Sequence, residues 1–565
     1  MRCRLALCWT LGSVSLLFGS MARAADPADA VPDSASVVMR VKAPQMTFGT
    51  LGDFVDAVQP GVGGVVRGNL AALGLAISNP TLAGVDVEKD WSVIVFAESR
   101  QQPPALVFVV PATDVNAVKN ALPPNFQFHA ADKLAVYSDN EAALSKVRDR
   151  LSGKGTSLWS KVDASSKKLF DGSDVSVLVH LRQLTTAFES ELQQAEPQLE
   201  MILNQISGAL PDAQRAQLMP ALDMYRVFGK SALQGVRDSQ CLALTLSFSK
   251  EAIRLEHRLQ VIEGTKTAKF LAAQPTSELS LMSRLPAAKA VYFGAKADMT
   301  GMVDWSMKLT KGMLTNVSEE QKTQFDAAVN EMRDLKWNEM AGYFDVDSAA
   351  AGVVRAGSVA EITPTKRLRE IGQTLMKSLS EIKSIGFTQT TKMELGVAKI
   401  GGVEVDRITM QQEFDPSLDS NGIQKKIRDV MFGETGMQQF VMYQPTRSLQ
   451  TFGGGLAELE KLATALDSKT TAEAARATAR KRFVERANVV VLIDVPRLLV
   501  SGLRVASREM PLPIDVASLD NLDLPPSFIG GALACEPTGA RAQLVIPVEQ
   551  AQGIAKIVHL FLARR

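Results

Sequence analysis

The sequence has few of the residues that most catalytic and metal sites use. Its 565 residues include four histidines and four cysteines, and aromatic residues make up 6% of the chain. No Cys-x-x-Cys, His-Glu-x-x-His or Gly-x-Ser-x-Gly motif occurs, which argues against zinc ribbons, zinc proteases and the common serine hydrolases. The sequence therefore predicts no cofactor and no metal site, although carboxylates that only the fold brings together are invisible at this level.

The sequence also has little net charge. The formal charge is +1, and removing the N-terminal leader described below takes away three arginines and no acid. The remaining chain is slightly acidic, so nothing in its charge favours nucleic acid as a partner.

Long hydrophobic runs are missing except at the N-terminus. Residues 5–21 carry no charge, and residues 22–24 read Ala-Arg-Ala. This pattern predicts a signal peptide, residues 1–24, cleaved between Ala24 and Ala25. An uncleaved anchor is the alternative, and lipidation at Cys8 is disfavoured because Leu7 is too large for the preceding position. Since no later segment has the ~18 apolar residues of a spanning helix, we expect an extracytoplasmic protein, periplasmic or secreted, without a transmembrane span.

Two cysteines remain after the leader. Cys241 and Cys535 both fall in predicted strands. An oxidising compartment permits a disulfide between them, and buried free thiols suit strands equally well. Both possibilities stay open from the sequence.

An internal repeat organises the chain. Four segments align without gaps and begin at Val37, Val175, Ala290 and Val489. Each has about five mostly apolar residues, a short turn and then an amphipathic helix. A hairpin and another helix follow each copy, and the first and third copies carry a further hairpin and helix. The chain is thus predicted to consist of four strand–turn–helix plus hairpin–helix modules.

These modules predict an α+β fold with two duplicated lobes. The first lobe covers residues 25–284, with modules starting near 37 and 175, and the second covers residues 285–565, with modules starting near 290 and 489. Each lobe is expected to be a mainly antiparallel sheet covered by helices.

Two helical inserts and a glycine run interrupt the modules. Residues 188–206 have heptad-like apolar spacing, which predicts packing on the protein's own sheet or against a partner helix. Residues 472–486 carry five basic residues, which indicate a solvated helix face or, alternatively, a site for an anionic surface. Residues 453–455 are three glycines between a strand and a helix, a flexible entry to the helix that could also hold an anion.

The lead-ins to the first and third copies, Pro-Asp-Ser-Ala at residues 32–35 and Leu-Pro-Ala-Ala at residues 285–288, support a resemblance. Together with the repeated modules behind a signal peptide, they resemble a diffuse group of uncharacterised exported bacterial envelope proteins. The resemblance implies an architecture and carries no activity.

Three functions are compatible with the sequence. The leading hypothesis is a non-enzymatic binding or scaffold protein of the bacterial envelope, whose partner is an envelope protein, lipid or polymer. The second is an extracytoplasmic hydrolase, for which a pocket holding paired acids with raised pKa values would be the signature. The third is a lipid-handling protein, for which a continuous apolar tunnel would be the signature.

Overall fold

The computed structural model describes residues 26–298, 318–350, 352–384, 387–416, 421–468, 473–512 and 516–562. The predicted signal peptide and its cleavage point at Ala24 and Ala25 lie outside these residues. Within the described residues the fold is mixed α+β, and all of the strand pairings are antiparallel. The predicted α+β class and antiparallel sheet are confirmed.

The strands are short near the repeat starts and long in the second part of the chain. In chain order they are β1 Val37–Val41, β2 Trp91–Phe96, β3 Ala105–Pro111, β4 Gln127–Ala131, β5 Leu134–Ser138, β6 Val175–Val179, β7 Ser239–Phe248, β8 Ala252–Val261, β9 Val291–Ala295, β10 Lys336–Val346, β11 Val354–Thr363, β12 Glu381–Ser384, β13 Phe387–Ile400, β14 Val403–Phe414, β15 Met437–Gln444, β16 Arg447–Phe452, β17 Val489–Ile493, β18 Ile529–Glu536 and β19 Gly539–Pro547.

The helices alternate with these strands. They are α1 Pro44–Val58, α2 Gly63–Gly68, α3 Leu70–Ala76, α4 Val115–Ala121, α5 Glu141–Leu151, α6 Ala164–Gly172, α7 Leu181–Ala187, α8 Glu189–Ala209, α9 Asp212–Arg237, α10 Lys266–Ala273, α11 Ser280–Ser283, α12 Glu319–Arg333, α13 Thr365–Ser378, α14 Ile423–Phe432, α15 Gly455–Asp467, α16 Ala474–Arg480, α17 Val495–Glu509 and α18 Val548–Leu562. None of the helices in the described ranges combines the length and the apolar character that crossing a membrane requires.

One continuous sheet contains all of these strands. The pairings give the order β4-β5-β3-β2-β1-β6-β7-β8-β19-β18-β17-β9-β10-β11-β16-β15-β14-β13-β12. Counted outward from the pairing of β8 with β19, the first part runs β8-β7-β6-β1-β2-β3-β5-β4 and the second runs β19-β18-β17-β9-β10-β11-β16-β15. Each strand of the first part thus has a counterpart in the second, and β14, β13 and β12 are added at the far edge. We call β1–β8 the first half and β9–β19 the second half.

The register repeats as well as the order. One row of cross-strand partners in the first half is Val107, Ile94, Val38, Leu178, Ala243 and Arg258. The corresponding row in the second half is Gly357, Tyr343, Tyr292, Leu492, Gly530 and Val545. This arrangement is the one a duplication would produce, and the duplication of the chain stays a prediction.

The junction between the halves follows the same correspondence. Arg258, the last residue of the first row, pairs with Arg541. Val545, the last residue of the second row, pairs with Arg254. Midway between these pairs, Gln543 donates a 3.0 Å hydrogen bond from Nε2 to Oε1 of Glu256. The sheet therefore runs unbroken through the predicted lobe boundary.

Helices pack on both faces of the sheet. Two of the cores lie on one face, and α4 packs on the opposite face, where Val118 shares a core with Phe108 and Tyr137. In the first half, Leu144 of α5 packs with Val38 and Leu178. In the second half, Leu459 of α15 belongs to the same core as Tyr292 and other buried residues of the central strands. Alternation along each strand places these residues on one face.

The alignment of the repeats is displaced by one residue in the third copy. Val37 pairs with Val179, and Val291 pairs with Ile493. Val37 therefore corresponds to Val291, whereas the gapless alignment matched it with Ala290. Strand pairing, which the alignment could not use, decides the register.

The sequence pattern predicts the first hairpin of the third module at residues 387–395 and 403–414, which form β13 and β14, and it does not predict β10 and β11, which take that place in the structure. Gly342 and Gly357 weaken the strand pattern, but a side chain cannot fit at either position. A Cβ on Gly342 would lie 2.5 Å from Cζ of Phe293, and one on Gly357 would lie 2.6 Å from Cε1 of Tyr343. Each of these glycines makes room for an aromatic ring of a neighbouring strand. In the sequence, however, a glycine weakens the prediction of a strand.

The possible disulfide between Cys241 and Cys535 does not form, because both thiols are free in the structure. Cys241 lies in β7 and Cys535 in β18, with β8 and β19 between them. Three strand spacings of ~4.8 Å separate them by roughly 14 Å, twice the ~7 Å limit for bridged Cα atoms. Burial raises the pKa of the Cys241 thiol to about 12.

The first helical insert, residues 188–206, does not pack on the protein's own sheet, which was one of the two expectations for it. It forms α8, which continues through Pro197, and α8 packs mainly against α9. Met201, Ile202 and Ile206, members of the predicted apolar seam or its neighbours, are exposed. The two helices bury part of the seam against each other and leave the rest facing outward.

Arg258 ties the two halves together at the junction, and its removal should destabilise the protein. Its side chain is 2% exposed and forms ion pairs with Asp163 of the first half and Glu536 of the second. We expect Arg258→Met to lower the free energy of unfolding by about 3–5 kcal/mol, because Asp163 loses its cation and Glu536 keeps only Arg541, at 3.5 Å.

Urea unfolding measures this loss, with Arg254→Met as the matched control. Arg254 lies four residues away on the same strand, is 37% exposed and pairs with Glu256, so its loss should cost about 0–1 kcal/mol. Equal losses in the two variants would show that the buried network does not hold the junction.

Candidate functional site

An open, charged cleft of about 760 Å³ lies where β9, β10 and β17 meet α15 and α17. Its charged lining residues are the acids Asp345, Asp347, Glu458, Glu473, Asp494 and Asp520 and the bases Lys289, Arg355, Lys461, Arg497 and Arg504. A pocket with this density of ionisable groups is a candidate binding or active site.

The ends of three adjacent strands position the central acids of the cleft. Asp345 follows Phe344, which pairs with Val291 of β9. On the other side of β9, the Asp494 amide donates a 2.7 Å hydrogen bond to the Ala290 carbonyl. Two strand spacings of ~4.8 Å therefore separate the backbones of Asp345 and Asp494 by about 10 Å.

Glu458 of α15 is held ionised at the back of the cleft. Its Oε1 accepts a 2.5 Å bond from Nζ of Lys289 and a 2.8 Å bond from the Tyr343 hydroxyl. Burial opposes ionisation of Glu458, but these hydrogen bonds outweigh it and lower the pKa of the carboxyl. The Lys289 ammonium also lies 4.6 Å from the centroid of the Tyr343 ring.

Glu473 and Arg476 close the neighbouring wall. Oε2 of Glu473 accepts hydrogen bonds from the Ala288 amide at 3.1 Å and from the Tyr292 hydroxyl at 3.3 Å. The Arg476 guanidinium lies 4.5 Å from the centroid of the Tyr292 ring and donates to the Ser283 carbonyl at 2.9 Å. Burial raises the pKa of Tyr292 to about 12.

This placement corrects the interpretation of the second insert as a solvated basic helix face. Arg476 is 2% exposed, and Arg480 is half-buried, with Nη1 donating to the Val484 carbonyl at 2.7 Å. Burial lowers the pKa of both guanidinium groups. Arg476, Arg480 and Arg486 donate to backbone carbonyls, a role that the charge pattern alone does not distinguish from solvation. Lys481 is exposed, as a solvated helix face predicts.

Asp345 is only partly satisfied. Its Oδ2 accepts a 3.0 Å hydrogen bond from Nη2 of Arg497, while its Oδ1 is buried and has no hydrogen-bond partner. Burial raises the pKa of Asp345, and the opposing charges of Arg497 and Lys289 do not cancel that effect.

Asp494 caps α17. Its Oδ1 accepts hydrogen bonds from the Arg497 amide at 3.2 Å and from Nε2 of Gln550 at 3.3 Å. Burial raises the pKa of Asp494 despite these bonds, and the negative charge of Glu473 adds to the shift. Two acids with raised pKa values thus line one cleft.

In the first half, the positions of Asp345 and Lys289 are apolar. Phe96 occupies the position of Asp345, and Ala35 that of Lys289, and both are buried in the core. His180 takes the position of Asp494, because its amide bonds the Ser36 carbonyl at 2.8 Å as the Asp494 amide bonds the Ala290 carbonyl. The fold can therefore be built without charges at the positions of Lys289 and Asp345.

The glycine run at residues 453–455 opens α15 beside the cleft. All three residues have positive φ, between 66° and 70°. A Cβ on Gly454 would lie 3.0 Å from Cδ of Arg355. The glycines thus allow the turn into α15 and the close approach of Arg355, whose Nη2 pairs with Oδ2 of Asp347 at 3.3 Å.

Sequence reasoning singled out none of these acids as a site. Asp494 directly follows the strand of the fourth repeat copy, and Asp345 lies in β10, which the sequence did not predict. Glu458 of α15 and Glu473, directly before α16, lie more than 100 residues after Asp345 in the chain. Within the described ranges, no three His, Cys, Asp or Glu side chains are placed to hold a metal ion.

The opposite face of the central strands is apolar and partly open. Met39 of β1, Leu533 of β18 and Leu544 of β19 are 37–43% exposed, and aliphatic neighbours on the same face are half-buried. Exposed apolar surface of this kind is a candidate contact surface, whereas the lipid-handling hypothesis predicted a continuous apolar tunnel.

Replacing Asp494 with Asn should stabilise the protein at alkaline pH. Asn keeps an acceptor for the Arg497 amide and removes a buried carboxylate whose pKa is raised. A raised folded-state pKa means that ionisation costs stability above that pKa, so the gain should be largest at pH 8 and shrink as the pH falls through it.

Thermal unfolding between pH 4 and pH 8 measures this gain. Asp520→Asn removes an acid of the same cleft whose side chain is 69% exposed, and we expect no comparable gain from it. Loss of stability at pH 8 in Asp494→Asn would contradict this interpretation of the carboxylate.

His180 should make the protein less stable in mild acid. Its ring is 2% exposed, with Nδ1 3.2 Å from the Ala35 carbonyl oxygen and Nε2 3.3 Å from Nε2 of Gln240. Burial lowers the pKa of His180 below its ordinary value of 6.5. The unfolded chain therefore binds the proton first, and stability falls as the pH drops below about 6.5.

Urea unfolding at pH 5.5 and pH 7.5 tests this dependence in the wild type and in His180→Gln. The variant should show a smaller difference between the two pH values. An unchanged difference would assign the pH dependence to other groups.

No protein-family model, curated protein or solved structure matches the chain. The function is therefore argued from the geometry and chemistry of the cleft.

Proposed function

We propose that the protein is an extracytoplasmic, non-enzymatic binding protein that holds a small polar ligand in the charged cleft of its second half. The observation that carries this proposal is the difference between the halves. The same strand ends carry Ala35 and Phe96 in one half and Lys289 and Asp345 in the other. Burying charged groups costs stability, and the first half shows that the fold does not require them.

The side chains of the cleft are fixed before a ligand arrives. Glu458 is held by Lys289 and Tyr343, and Asp494 is held by the α17 backbone and Gln550. A preorganised polar cleft loses little conformational entropy on binding, which favours affinity for a small ligand.

A hydrolase is the second candidate, and a specific observation favours it. Asp345 and Asp494 line the same cleft, burial raises both pKa values, and their backbones are about 10 Å apart by strand spacing. We rank this function second because Asp494 is committed to capping α17 and Asp345 to Arg497.

Native mass spectrometry of residues 25–565 with a polar extract of the cells that make the protein tests the binding role. We expect a small-molecule adduct on the wild type that Asp345→Asn and Glu473→Gln lose, because both remove a cleft carboxylate while keeping its shape. Asp132→Asn, a charge change at an exposed turn residue with positive φ, should retain the adduct.

The same experiment separates the two candidates. An adduct that is equally abundant in all variants, or no adduct on any of them, would contradict binding at this cleft. Conversion of an extract component by the wild type, lost in both Asp345→Asn and Asp494→Asn, would replace binding with hydrolysis.

A further inference from the structure

We propose that the open apolar face of the central strands binds a long-chain fatty acid. The acyl chain crosses β19, β18, β17 and β9, and the carboxylate lies at His257 of β8. None of the residues that form this site lines the charged cleft. The site is therefore separate from the cleft and does not depend on the ligand proposed there.

The floor of the site is a row of cross-strand partners on five adjacent strands. The row contains His257, Ala542, Leu533, Val489 and Ala295. Because side chains alternate along a strand, this row lies on the face opposite the two largest cores. The neighbouring row runs from Leu255 to Phe293 across the same strands and is apolar throughout. We call these two rows the apolar strip.

In the described part of the chain, the middle of the apolar strip is uncovered. A Cβ on Gly531 would meet nothing closer than the Gln543 carbonyl oxygen, at 3.8 Å. On the other face, a Cβ on the adjacent Gly530 would lie 2.5 Å from Cζ of Phe483. Leu533, two residues further along β18, is 41% exposed. The strip is thus open at the point where the other face of the same strand is tightly packed.

α10 borders the apolar strip on one side. Leu259 and Ala540 form the next pair along β8 and β19 on the same face. Both pack against a cluster that includes Leu271 of α10. The helix therefore ends the open surface there and shields one flank of a ligand that lies on the strip.

The composition of the apolar strip favours an acyl chain over a protein partner. Protein interfaces form about one hydrogen bond per 100–200 Å², and Trp, Tyr and Arg side chains provide most of their binding energy. The strip has none of these three residue types, and His257 is its only hydrogen-bonding side chain. An acyl chain needs only apolar contact and the exclusion of water, which aliphatic side chains supply.

His257 provides one polar contact beside this apolar surface. Its side chain is half-buried, and within the described residues its ring forms no hydrogen bond. A neutral imidazole has one N–H donor and a protonated imidazole has two, so the ring can donate to a carboxylate in either state. A fatty acid has one carboxylate, at the end of its chain, which matches a single polar group next to an apolar strip.

The length of the apolar strip also fits this ligand. Four strand spacings of ~4.8 Å separate His257 from Ala295, roughly 19 Å in total. A bilayer core of ~30 Å contains two layers of acyl chains, so each chain spans about 15 Å. A common membrane acyl chain therefore fits between His257 and β9.

Fluorescence titration of residues 25–565 with cis-parinarate, followed by displacement with palmitate, tests the site. We expect saturable binding of both fatty acids. Leu533→Glu should weaken binding at least about tenfold, because it places a charge against the acyl chain. Leu106→Glu is the matched control, because Leu106 is 40% exposed on the same face of β3, five strands from His257. This control should bind as the wild type does.

Two substitutions of His257 test the position of the carboxylate. His257→Leu should weaken palmitate binding at least about tenfold, the loss expected for one hydrogen bond to a charged group. His257→Gln keeps an N–H donor and should retain most of the affinity. Equal affinities of the wild type and His257→Leu would overturn the position proposed for the carboxylate.

Circular dichroism confirms that each variant is folded before titration. Fatty-acid binding that is unchanged in both Leu533→Glu and His257→Leu would place the ligand elsewhere and overturn the inference. Absence of binding to the wild type would overturn it as well. Sedimentation velocity covers the alternative occupant: a dimer that binds no fatty acid and that Leu533→Glu dissociates would assign this face to a second copy of the chain.

Discussion

The pairing of β8 with β19 is the interaction on which the rest of the structure depends. Nine residue pairs join these strands, and the buried Arg258 adds ion pairs to Asp163 on one side and Glu536 on the other. Without this junction each half would end in an exposed strand edge, a known site of unwanted association. With it, β8 and β19, which would be edge strands of the separate halves, become interior strands of one sheet.

The sheet explains why a charged cleft can exist beside a large core. In both halves, the ends of three neighbouring strands meet the start of the helix that follows the third. The first half fills this place with Phe96 and Ala35, and the second places Asp345 and Lys289 there. The Tyr292 and Tyr343 hydroxyls donate hydrogen bonds to Glu473 and Glu458, and Arg476 packs on the Tyr292 ring. The second half thus has an ordered polar site where the first half has buried apolar side chains.

The sequence predicted the fold class and most strands because their apolar residues alternate or cluster in ways that turns and helices do not. It could not predict β10 and β11, since Gly342 and Gly357 are there to accommodate aromatic rings that lie on other strands. The registers across β8 and β19 were equally hidden, because pairing between residues nearly 300 positions apart leaves no local pattern. The cleft was missed for the same reason: Asp345, Glu458, Glu473 and Asp494 are ordinary surface-type residues until the sheet assembles them. The basic run at residues 472–486 was misjudged because composition does not show that Arg476 points at backbone carbonyls.

Hydrogen–deuterium exchange of the full chain tests the central claim, the continuity of the sheet, most directly. In a continuous sheet β8 and β19 are interior strands, so their amides should exchange as slowly as those of β7 and β18 and far more slowly than those of the edge strand β4. Rapid exchange along β8 and β19, with protected neighbours on both sides, would show that the halves are separate sheets and would contradict the account.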